Sequence, residues 1–484
     1  MNGRRAAAVR HEVAGTLETV TAVRPGGWGS SAYADLVVAR DGLGRLMIPG
    51  TSLAGALRSW LGSVTGPAGG PLFDRAALAA VFGDLEHRSQ QGTVCRIMVD
   101  DAVAAGDVSA VIRDGVGIDR VTGSAAGGIL YQQEVIPPGT RFAVRITAAQ
   151  SATDTERVCT ALNHLVQALA AGRVEIGAAR TRGLGQVRLS GITRTRVDLA
   201  DRAQVLGWLC GRPAPAPAAD TALPGDGRLG IEVTWSAVTP VMVRASTVNE
   251  AEPDRDRAVD TVPLRSGGSG PDGATTRLLP GSSVKGVLRS HAERIVRTVT
   301  AAGLPDRWLD QVNDPGLGPV TALFGTAGDH RTRDGAAAGA GRRGALAVHD
   351  CLGTAAERVV THVAVDRWTG GAAENLLFSV QEPASADWQP MRMSLDTGRA
   401  GSPGGQALAL LLLVLRDLAD GWLALGFGGT RGRGSVSVSR IAFTGDGLPG
   451  VWAGLPGRSL AEVIDDPPDG VRRAFAAWQE GASA

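Results

Sequence analysis

The sequence repeats itself, and this duplication limits the folds open to the chain more than any other feature. Residues 46–58 read LMIPGTSLAGALR, and residues 277–289 read RLLPGSSVKGVLR. Further on, VGIDRVTGSAAGGILY (116–131) corresponds to VAVDRWTGGAAENLLF (363–378), and IGAARTRGLGQV (176–187) corresponds to LGFGGTRGRGSV (425–436). The order is the same in both copies, while the offset grows from 231 to 249 residues. Such self-similarity indicates one fold used twice, with insertions in the second copy.

The copies are separated by GRPAPAPAAD (211–220), whose composition predicts an extended, semi-rigid linker. We therefore predict a first unit over residues 8–210, a linker over 211–226 and a second unit over 227–445. Residues 446–484 are expected to form a small appendix that ends in a short helix. Two Gly-rich tracts, 266–274 and 326–344, are predicted to be loops.

Both units show the same order of predicted elements. An alternating strand opens each unit (13–23 and 229–240), and a helix follows the Pro-Gly motif. Two further strands, a long amphipathic helix (153–171 and 405–420) and a last strand complete the unit. The order β-α-β-β-α-β is that of the ferredoxin-like, or RRM-like, fold, so the fold class is α+β with two tandem domains. The hydroxyls of Thr51-Ser52 and Ser282-Ser283 are expected to cap the first helix of each unit.

Composition excludes several classes of protein. Basic and acidic residues number 49 and 48, so the chain is not a polycation. Four separated cysteines without a CxxC pair argue against a zinc ribbon or disulfide scaffold and favour a reducing cytoplasm. No apolar run reaches the roughly 18 residues of a membrane span, so no membrane association is expected. Neither a P-loop nor a dinucleotide-binding glycine motif is present.

The Gly-Arg loops are the first candidate binding sites. Glycine permits a close backbone approach, and a guanidinium holds a phosphate with a planar fork of donors. Two such loops at equivalent places favour a clamp on a nucleic-acid backbone over tight turns with solvated arginines. The residues concerned are Arg180, Arg182, Gly183 and Gly185 in the first loop, and Arg431, Gly432, Arg433 and Gly434 in the second.

The Pro-Gly helix start is the second candidate. A helix N-terminus offers free N–H groups and partial positive charge to an anion. An ordinary capped helix would explain the same pattern. The residues that would act with it on an anion are Arg58 in the first unit and Ser282, Ser283, Lys285 and Arg289 in the second.

These motifs together resemble a known family. A Gly-rich loop paired with [I/L]PG[T/S]S[L/V]xGxLR resembles the hallmark pair of the RAMP superfamily of CRISPR-associated proteins. The [I/V]DRxTG segment resembles the thumb insertion of the backbone subunits of type III effector complexes, and the tandem is similar to the fused backbone subunits of type III-D-like systems. The resemblance implies binding of guide RNA (crRNA) and complementary target RNA, together with other effector subunits, in antiviral defence.

The resemblance also implies thumb residues. Asp119-Arg120 and Asp366-Arg367 would brace the base of the thumb, or the arginines would contact RNA. Trp368 would stack on a base or lie buried under the thumb.

In the family that the sequence resembles, an aspartate before the Pro-Gly helix cleaves target RNA. Asp35 in AYADLVV and Asp260 in AVDTVPL match this pattern, although they precede the proline by 14 and 20 residues. Base flipping would align a 2′-hydroxyl with the scissile phosphate, and the carboxylate would bind Mg²⁺ or another divalent metal or accept the proton. Asp41, Asp254 and Asp256 are nearby alternatives.

Other functions stay open at this point. A guide-RNA scaffold of the same fold would bind RNA without cleaving it. A repeat-RNA processing endoribonuclease is less favoured, because no His or Tyr lies close to the 428–434 loop. A small-molecule enzyme has no cofactor motif in its support.

Overall fold

The structure, a computed structural model, describes residues 8–66, 70–83, 94–150, 155–217, 222–245, 259–266, 276–328, 341–401 and 404–483. Most of both Gly-rich tracts that were predicted to be loops, as well as Asp254 and Asp256, lie outside the described residues.

The first unit contains eight strands and four helices among its described residues. The strands are β1 (Val9–Thr19), β2 (Met47–Ile48), β3 (Ile97–Val99), β4 (Ala102–Val103), β5 (Val111–Ile118), β6 (Ala125–Val135), β7 (Arg141–Gln150) and β8 (Val187–Asp198). The helices are α1 (Gly50–Leu61), α2 (Arg75–Phe82), α3 (Thr155–Ala170) and α4 (Arg202–Leu209).

The second unit repeats this plan. Its strands are β9 (Arg228–Ala237), β10 (Arg277–Leu279), β11 (Leu346–Val348), β12 (Cys351–Val365), β13 (Ala372–Trp388), β14 (Met391–Asp396) and β15 (Val436–Thr444). Its helices are α5 (Gly281–Thr300), α6 (Trp308–Asn313), α7 (Gly318–Phe324), α8 (Thr397–Ala400) and α9 (Gly404–Ala419), and α10 (Leu460–Asp465) and α11 (Asp469–Ser483) follow β15.

Both units build the same antiparallel sheet. The strand order is β3-β7-β1-β8 in the first unit and β11-β14-β9-β15 in the second. Numbered by position within the β-α-β-β-α-β unit, each order is 2-3-1-4, which is the ferredoxin-like arrangement. The predicted fold class is therefore confirmed, twice. The long helices predicted at 153–171 and 405–420 are α3 and α9, and their apolar faces cover one side of each sheet.

The caps of the Pro-Gly helices differ from the prediction. Helices α1 and α5 begin at the motif glycine after Pro49 and Pro280, and no side-chain hydroxyl caps them. Instead, the N–H of Gly50 donates to Asp101 Oδ1 at 2.6 Å, and the N–H of Gly281 donates to Asp350 Oδ1 at 2.9 Å. The predicted hydroxyl caps were wrong because the helix starts one residue earlier, where a carboxylate after the neighbouring strand reaches the first N–H.

Close packing explains why the motif has a glycine at the start of the helix. A side chain at Gly50 would collide with the carbonyl oxygen of Val99, and one at Gly281 would collide with that of Val348. The helix start therefore lies directly against the second strand of the sheet, and only glycine fits.

A long β-hairpin leaves each unit between the second and third strands of its sheet. The first hairpin consists of β5 and β6, and the second hairpin consists of β12 and β13. Their pairing registers agree, since Gly115 lies opposite Tyr131 and His362 lies opposite Phe378 at the equivalent position. The [I/V]DRxTG sequence forms the tip of each hairpin.

The residues after β15 pack into the second unit. Val471 and Ala474 of α11 are buried in the same core as α9, and Gln406 Nε2 donates to the carbonyl of Ala477 at 3.1 Å. The segment predicted as an appendix is thus part of the second core. No helix in the described ranges is long and apolar enough to cross a membrane.

Buried ion pairs join the two units. Arg113 of the first hairpin contacts Asp350 at 2.7 Å, and both side chains are less than a tenth exposed. Arg120 at the hairpin tip contacts Glu293 of α5 at 2.6 Å. Because a buried charge without its partner is costly, these pairs hold the first hairpin against the second unit.

We expect Arg113→Met to destabilise the folded chain by about 3–5 kcal/mol, because it leaves the buried carboxylate of Asp350 without its cation. The measurement is the shift in the urea unfolding midpoint. Arg392→Met is the matched control, since Arg392 pairs with Glu232 on the exposed surface and should change stability by less than about 0.5 kcal/mol. Equal shifts for the two variants would contradict the buried junction.

Candidate nucleic-acid interface

The two Gly-Arg loops have the same backbone. Each contains a short 3₁₀ turn, Arg180–Arg182 and Gly429–Arg431, that ends on a glycine with positive φ. Gly185 and Gly434 also have positive φ, and a side chain at either would collide with the carbonyl oxygen of Ile176 or Leu425. These last glycines are required by the fold of the loop itself, whereas Gly432 has open space where a side chain would lie.

Arg182 and Arg431 occupy equivalent positions in these loops and are both exposed. Arg182 Nη1 donates to the hydroxyl of Tyr131 at 2.8 Å, and the Arg431 guanidinium lies 5.6 Å from the ring centroid of Phe378. Tyr131 and Phe378 lie at matching positions of the two hairpins. Each unit thus presents an exposed guanidinium beside an aromatic ring on its hairpin, a pairing that suits phosphate binding and base stacking.

Arg433 points inward. Its Nε donates to Glu382 at 2.8 Å, its Nη2 lies 2.9 Å from His362 Nε2, and the residue is 6% exposed. In the first unit the same place is apolar, with Leu184 packed against Val135. Arg433 was predicted to bind RNA, but its guanidinium is used inside the protein to anchor the second hairpin.

Arg180 is also partly enclosed. Its Nη1 donates to the backbone carbonyl of Glu175 at 3.5 Å, and burial lowers the pKa of its guanidinium. Gly183 lies against Asp350, where a side chain would collide with the carboxylate. This part of the first loop therefore contacts the second unit.

Lys285, the one lysine of the chain, is buried on α5. Its Nζ donates to the carbonyl of Leu346 at 2.6 Å, and burial, followed by repulsion from Arg289, lowers its pKa to about 7. In this structure the amine contacts the sheet and is not presented to a phosphate.

The other basic residues of the helix motif also make internal contacts. Arg58 donates to the carbonyl of Gly83 at 3.1 Å, and Arg289 contacts Glu293 at 2.7 Å and the carbonyl of Val312 at 2.6 Å. Ser282 is exposed and Ser283 half-buried on the first turn of α5. Of the predicted RNA ligands in this helix, the serines are the more accessible.

Asp35 and Asp260 occupy equivalent places despite their different spacing from the proline. Asp35 Oδ2 accepts the N–H of Gln132 at 2.8 Å, and Asp260 Oδ2 accepts the N–H of Ser379 at 2.6 Å. Gln132 and Ser379 have the same register in the two hairpins. The N–H and hydroxyl of Ser379 hold the pKa of Asp260 below its ordinary value. Both carboxylates are therefore fixed against the side of a hairpin, at matching positions.

One oxygen of each carboxylate is left for other partners. Within the described residues, Oδ1 of Asp35 and Oδ1 of Asp260 accept no hydrogen bond. No group of three or more His, Cys, Asp or Glu that could hold a metal occurs in that part of the chain. A single free carboxylate oxygen would supply at most one protein ligand to a Mg²⁺ ion, which usually takes its other ligands from phosphates and water.

Asp41, the nearby alternative to Asp35, has a structural role. It contacts Arg45 at 2.7 Å and accepts the N–H groups of Leu43 and Arg45, and these hydrogen bonds, the largest from the Arg45 side chain, lower its pKa. Both of its oxygens are engaged within its own turn.

The [I/V]DRxTG motif closes the hairpin tips. Asp119 accepts the N–H groups of Val121 and Thr122, and Asp366 accepts those of Trp368 and Thr369. The N–H of Thr122 and that of Thr369 are the main cause of the lowered pKa of each carboxylate. The predicted bracing of the thumb base is wrong, because the motif lies at the tip and its aspartate binds backbone.

The remaining tip residues differ between the units. Arg120 pairs with Glu293, whereas Arg367 is exposed. Trp368 is 96% exposed, so its predicted alternative of burial is wrong. Further apolar side chains are exposed along both hairpins, namely Val116, Leu130, Leu376 and Leu377. Such surfaces commonly contact a partner.

Comparison with protein-family models gives a match. A family model described as RAMP superfamily matches residues 16–188 and again residues 263–437. The two matches cover both Pro-Gly helices, both hairpin tips and both Gly-Arg loops. Proteins of this superfamily are CRISPR-associated, bind RNA and form multi-subunit complexes. No curated protein matches the chain.

The lowered pKa of Lys285 predicts a pH effect on stability. Between its folded pKa of about 7 and the ordinary value of 10.5, the unfolded chain binds a proton that the folded chain does not. Stability should therefore rise with pH in this window, by at most about 1.4 kcal/mol per pH unit. Lys285→Met should lose this rise, measured as urea midpoints from pH 7 to 10. Parallel profiles for wild type and variant would show that the amine stays protonated in the fold.

Proposed function

This chain belongs to the RAMP superfamily, and from that membership we propose that it is a guide-RNA-binding double backbone subunit of a type III-like CRISPR effector complex. It cleaves complementary target RNA at two places, near Asp35 and near Asp260. The observation that carries the proposal is the equivalent placement of these two carboxylates, each fixed by a hairpin N–H and each with one oxygen left over.

Guide RNA would bind along the surface that both units share. Arg182 and Arg431 each supply an exposed guanidinium for the sugar-phosphate backbone. Tyr131 and Phe378 lie beside them as surfaces on which a base can stack. The hairpins, with their exposed apolar residues, would then separate guide and target bases at regular intervals.

Cleavage would use the 2′-hydroxyl next to the scissile phosphate as the nucleophile. Its oxygen would bond to phosphorus to give a 2′,3′-cyclic phosphate as the P–O5′ bond breaks, and water would protonate the leaving 5′-oxygen. The fixed Oδ2 of Asp35 or Asp260 orients the carboxylate, so that Oδ1 can accept a proton or contribute to metal binding. A bound divalent ion would stabilise the charge that develops on the phosphate. The hairpin and the loop that carries the aspartate meet through backbone hydrogen bonds, so displacing a base and presenting the carboxylate occur at one place.

A non-catalytic scaffold is the second candidate. Its support is that both aspartates accept a backbone N–H, which is also the ordinary role of a loop aspartate. Such a protein would use the same arginines and hairpins to bind RNA.

A cleavage assay separates the two candidates. The chain is purified with its guide RNA and neighbouring subunits, and labelled complementary RNA is added with Mg²⁺. Asp35→Asn and Asp260→Asn keep an oxygen acceptor for the hairpin N–H while removing the negative charge. We expect each single variant to lose one product and the double variant to lose both, with RNA binding retained.

Asp41→Asn is the control for this assay and should leave both products, because Asp41 binds within its own turn. Persistence of both products in the double variant would reject the catalytic role of the two aspartates. Absence of cleavage by the wild type, with binding intact, would favour the scaffold.

Removing the exposed arginines should weaken binding of every RNA sequence alike. We expect the double variant Arg182→Gln and Arg431→Gln to have a shallower slope of log K against log salt concentration. The slope should shrink by about 0.7 for each single-strand phosphate contact that is lost. The measurement is guide-RNA affinity over a range of salt concentrations. Arg392→Gln, a surface arginine on β14, is the control, and an unchanged slope in the double variant would count against the clamp.

A further inference from the structure

No step of the proposed cleavage uses the cleft that lies beside Asp35. The cleft has a volume of about 470 Å³ and lies between the loop that carries Asp35 and the segment that joins β4 to β5. Its lining combines an aromatic ring, two guanidiniums, two carboxylates and a hydroxyl, from Tyr33, Arg40, Arg45, Asp107, Glu134 and Ser109. Such a lining suits a flat heteroaromatic ring with hydrogen-bonding edges.

The cleft is within reach of a nucleotide bound at Asp35. Tyr33 precedes Asp35 by two residues. Glu134 follows Gln132 by two residues on β6, and the N–H of Gln132 holds the Asp35 carboxylate. Two residues of a strand span roughly 7 Å, about the distance from a ribose to the far edge of its own base. A ribose held at Asp35 can therefore place its base in this cleft.

Glu134 supplies a fixed acceptor in the cleft. Its Oε2 accepts the N–H of Val38 at 3.1 Å and lies 3.5 Å from Arg40 Nη2. Its side chain is 13% exposed, and Oε1 accepts no hydrogen bond within the described residues. A carboxylate oxygen held in this way accepts the amino group of adenine, cytosine or guanine, whereas uracil presents the acceptor O4 in place of the amino group of cytosine.

Tyr33 supplies a surface on which a base can stack. The residue is 63% exposed, and its N–H donates to Ser31 Oγ at 3.1 Å, which fixes the backbone of the loop at this point. Its side chain lines the cleft together with Glu134. Enzymes that act on an extruded base bind it by the same two means, an aromatic ring on its face and hydrogen bonds to its edge.

Gln381 stands in the second unit where Glu134 stands in the first. The N–H of Gln381 donates to the carbonyl of Thr261 at 2.9 Å, just as the N–H of Glu134 donates to that of Leu36 at 2.8 Å. The side-chain amide of Gln381 donates to Glu357. The second unit therefore has an amide in place of the carboxylate, and that amide is already engaged.

The sequence of the second unit lacks the two supporting residues as well. When the two loops are aligned on their aspartates, Pro263 replaces Val38, and proline has no N–H with which to hold a carboxylate. In the same alignment Ala258 replaces Tyr33. The two proposed cut sites therefore differ in their means of binding a base.

We propose that this cleft binds the base of the nucleotide whose 2′-hydroxyl attacks at the first cut, the one near Asp35. Tyr33 stacks on the base, and Oε1 of Glu134 accepts its amino group. The first cut therefore favours adenine, cytosine or guanine over uracil at this position, whereas the second cut, near Asp260, does not discriminate. The inference rests on the proposed function, because the base belongs to the target RNA, but binding of the base is separable from cleavage.

Base preference is tested with matched guide and target RNAs that differ only at the nucleotide 5′ of the first cut, which is the cut that Asp35→Asn removes. Cytosine and uracil are compared, because they have the same size and differ in the group at C4. We expect the first cut to be about tenfold faster with cytosine, the effect of one hydrogen bond to a charged acceptor. The second cut in the same RNA should be unchanged. Equal rates of the first cut with the two bases would overturn the proposal.

Glu134→Gln tests which group reads the base. Glutamine keeps an oxygen for the N–H of Val38 and turns its amide N–H groups toward the cleft, so the preference should shift from cytosine to uracil, whose O4 is an acceptor. Glu232→Gln is the matched control, since Glu232 lies on the exposed surface of β9 and contacts Arg392, and it should keep the wild-type preference. A cytosine preference that persists in Glu134→Gln would refute the role of Glu134.

Occupancy of the cleft is measured without cleavage in the assembly that carries Asp35→Asn and Asp260→Asn. The fluorescent base 2-aminopurine, which has an amino group, is placed at successive positions of the target. Stacking on Tyr33 quenches its fluorescence, so adding Tyr33→Ala should raise the signal at one position, and Tyr33→Phe should leave it low. Absence of any responding position would overturn the proposal. A responding position in an assembly whose wild type does not cleave would reject the nuclease while supporting the base site.

Discussion

The two halves of the chain meet at one carboxylate, Asp350, on which both depend. One of its oxygens caps α5, the other pairs with Arg113 of the first hairpin, and Gly183 of the first Gly-Arg loop packs against it. A helix start, a hairpin and a loop from two different units are thus held by a single buried charge. The relative placement of the two candidate RNA surfaces follows from this contact.

Duplication has preserved the backbone while changing the interactions that support it. In the first unit an apolar contact between Leu184 and Val135 ties the loop to the hairpin. In the second unit the same place holds the buried pair of Arg433 and Glu382, which Arg358 extends at 2.9 Å. Apolar contacts tolerate change in shape, whereas a buried ion pair demands a defined geometry. The second hairpin, which is also the longer one, therefore has the more strictly specified contact with its Gly-Arg loop.

Sequence reasoning succeeded where a repeated pattern determined the answer. Two copies of one order of elements were enough to predict the ferredoxin-like fold, and α3 and α9 lie where the periodicity placed them. The same reasoning paired Asp35 with Asp260, although an insertion separates the second from its helix. The pairing registers of the two hairpins then show that Asp35 and Asp260 are equivalent, which their spacing from the proline alone left uncertain.

It failed where a residue's role depends on a partner distant in sequence. Arg433 and Lys285 carry the right charge for RNA but are turned into the core by Glu382 and by the carbonyl of Leu346. Asp101 and Asp350 were missed as helix caps because their target N–H groups lie 51 and 69 residues earlier. Tyr131 and Phe378 could have been found, since both are aromatic at matching positions of the repeated motif.

Covalent fusion and the locked junction together change how such a protein would hold a long ligand. Once one unit has bound a strand, the other meets the adjoining stretch at an effective concentration that the fixed junction determines. Release then requires both units to dissociate at nearly the same time, so the residence time on the strand lengthens without any new contact. A pair of separate subunits would have to gain that persistence from the strength of their mutual interface.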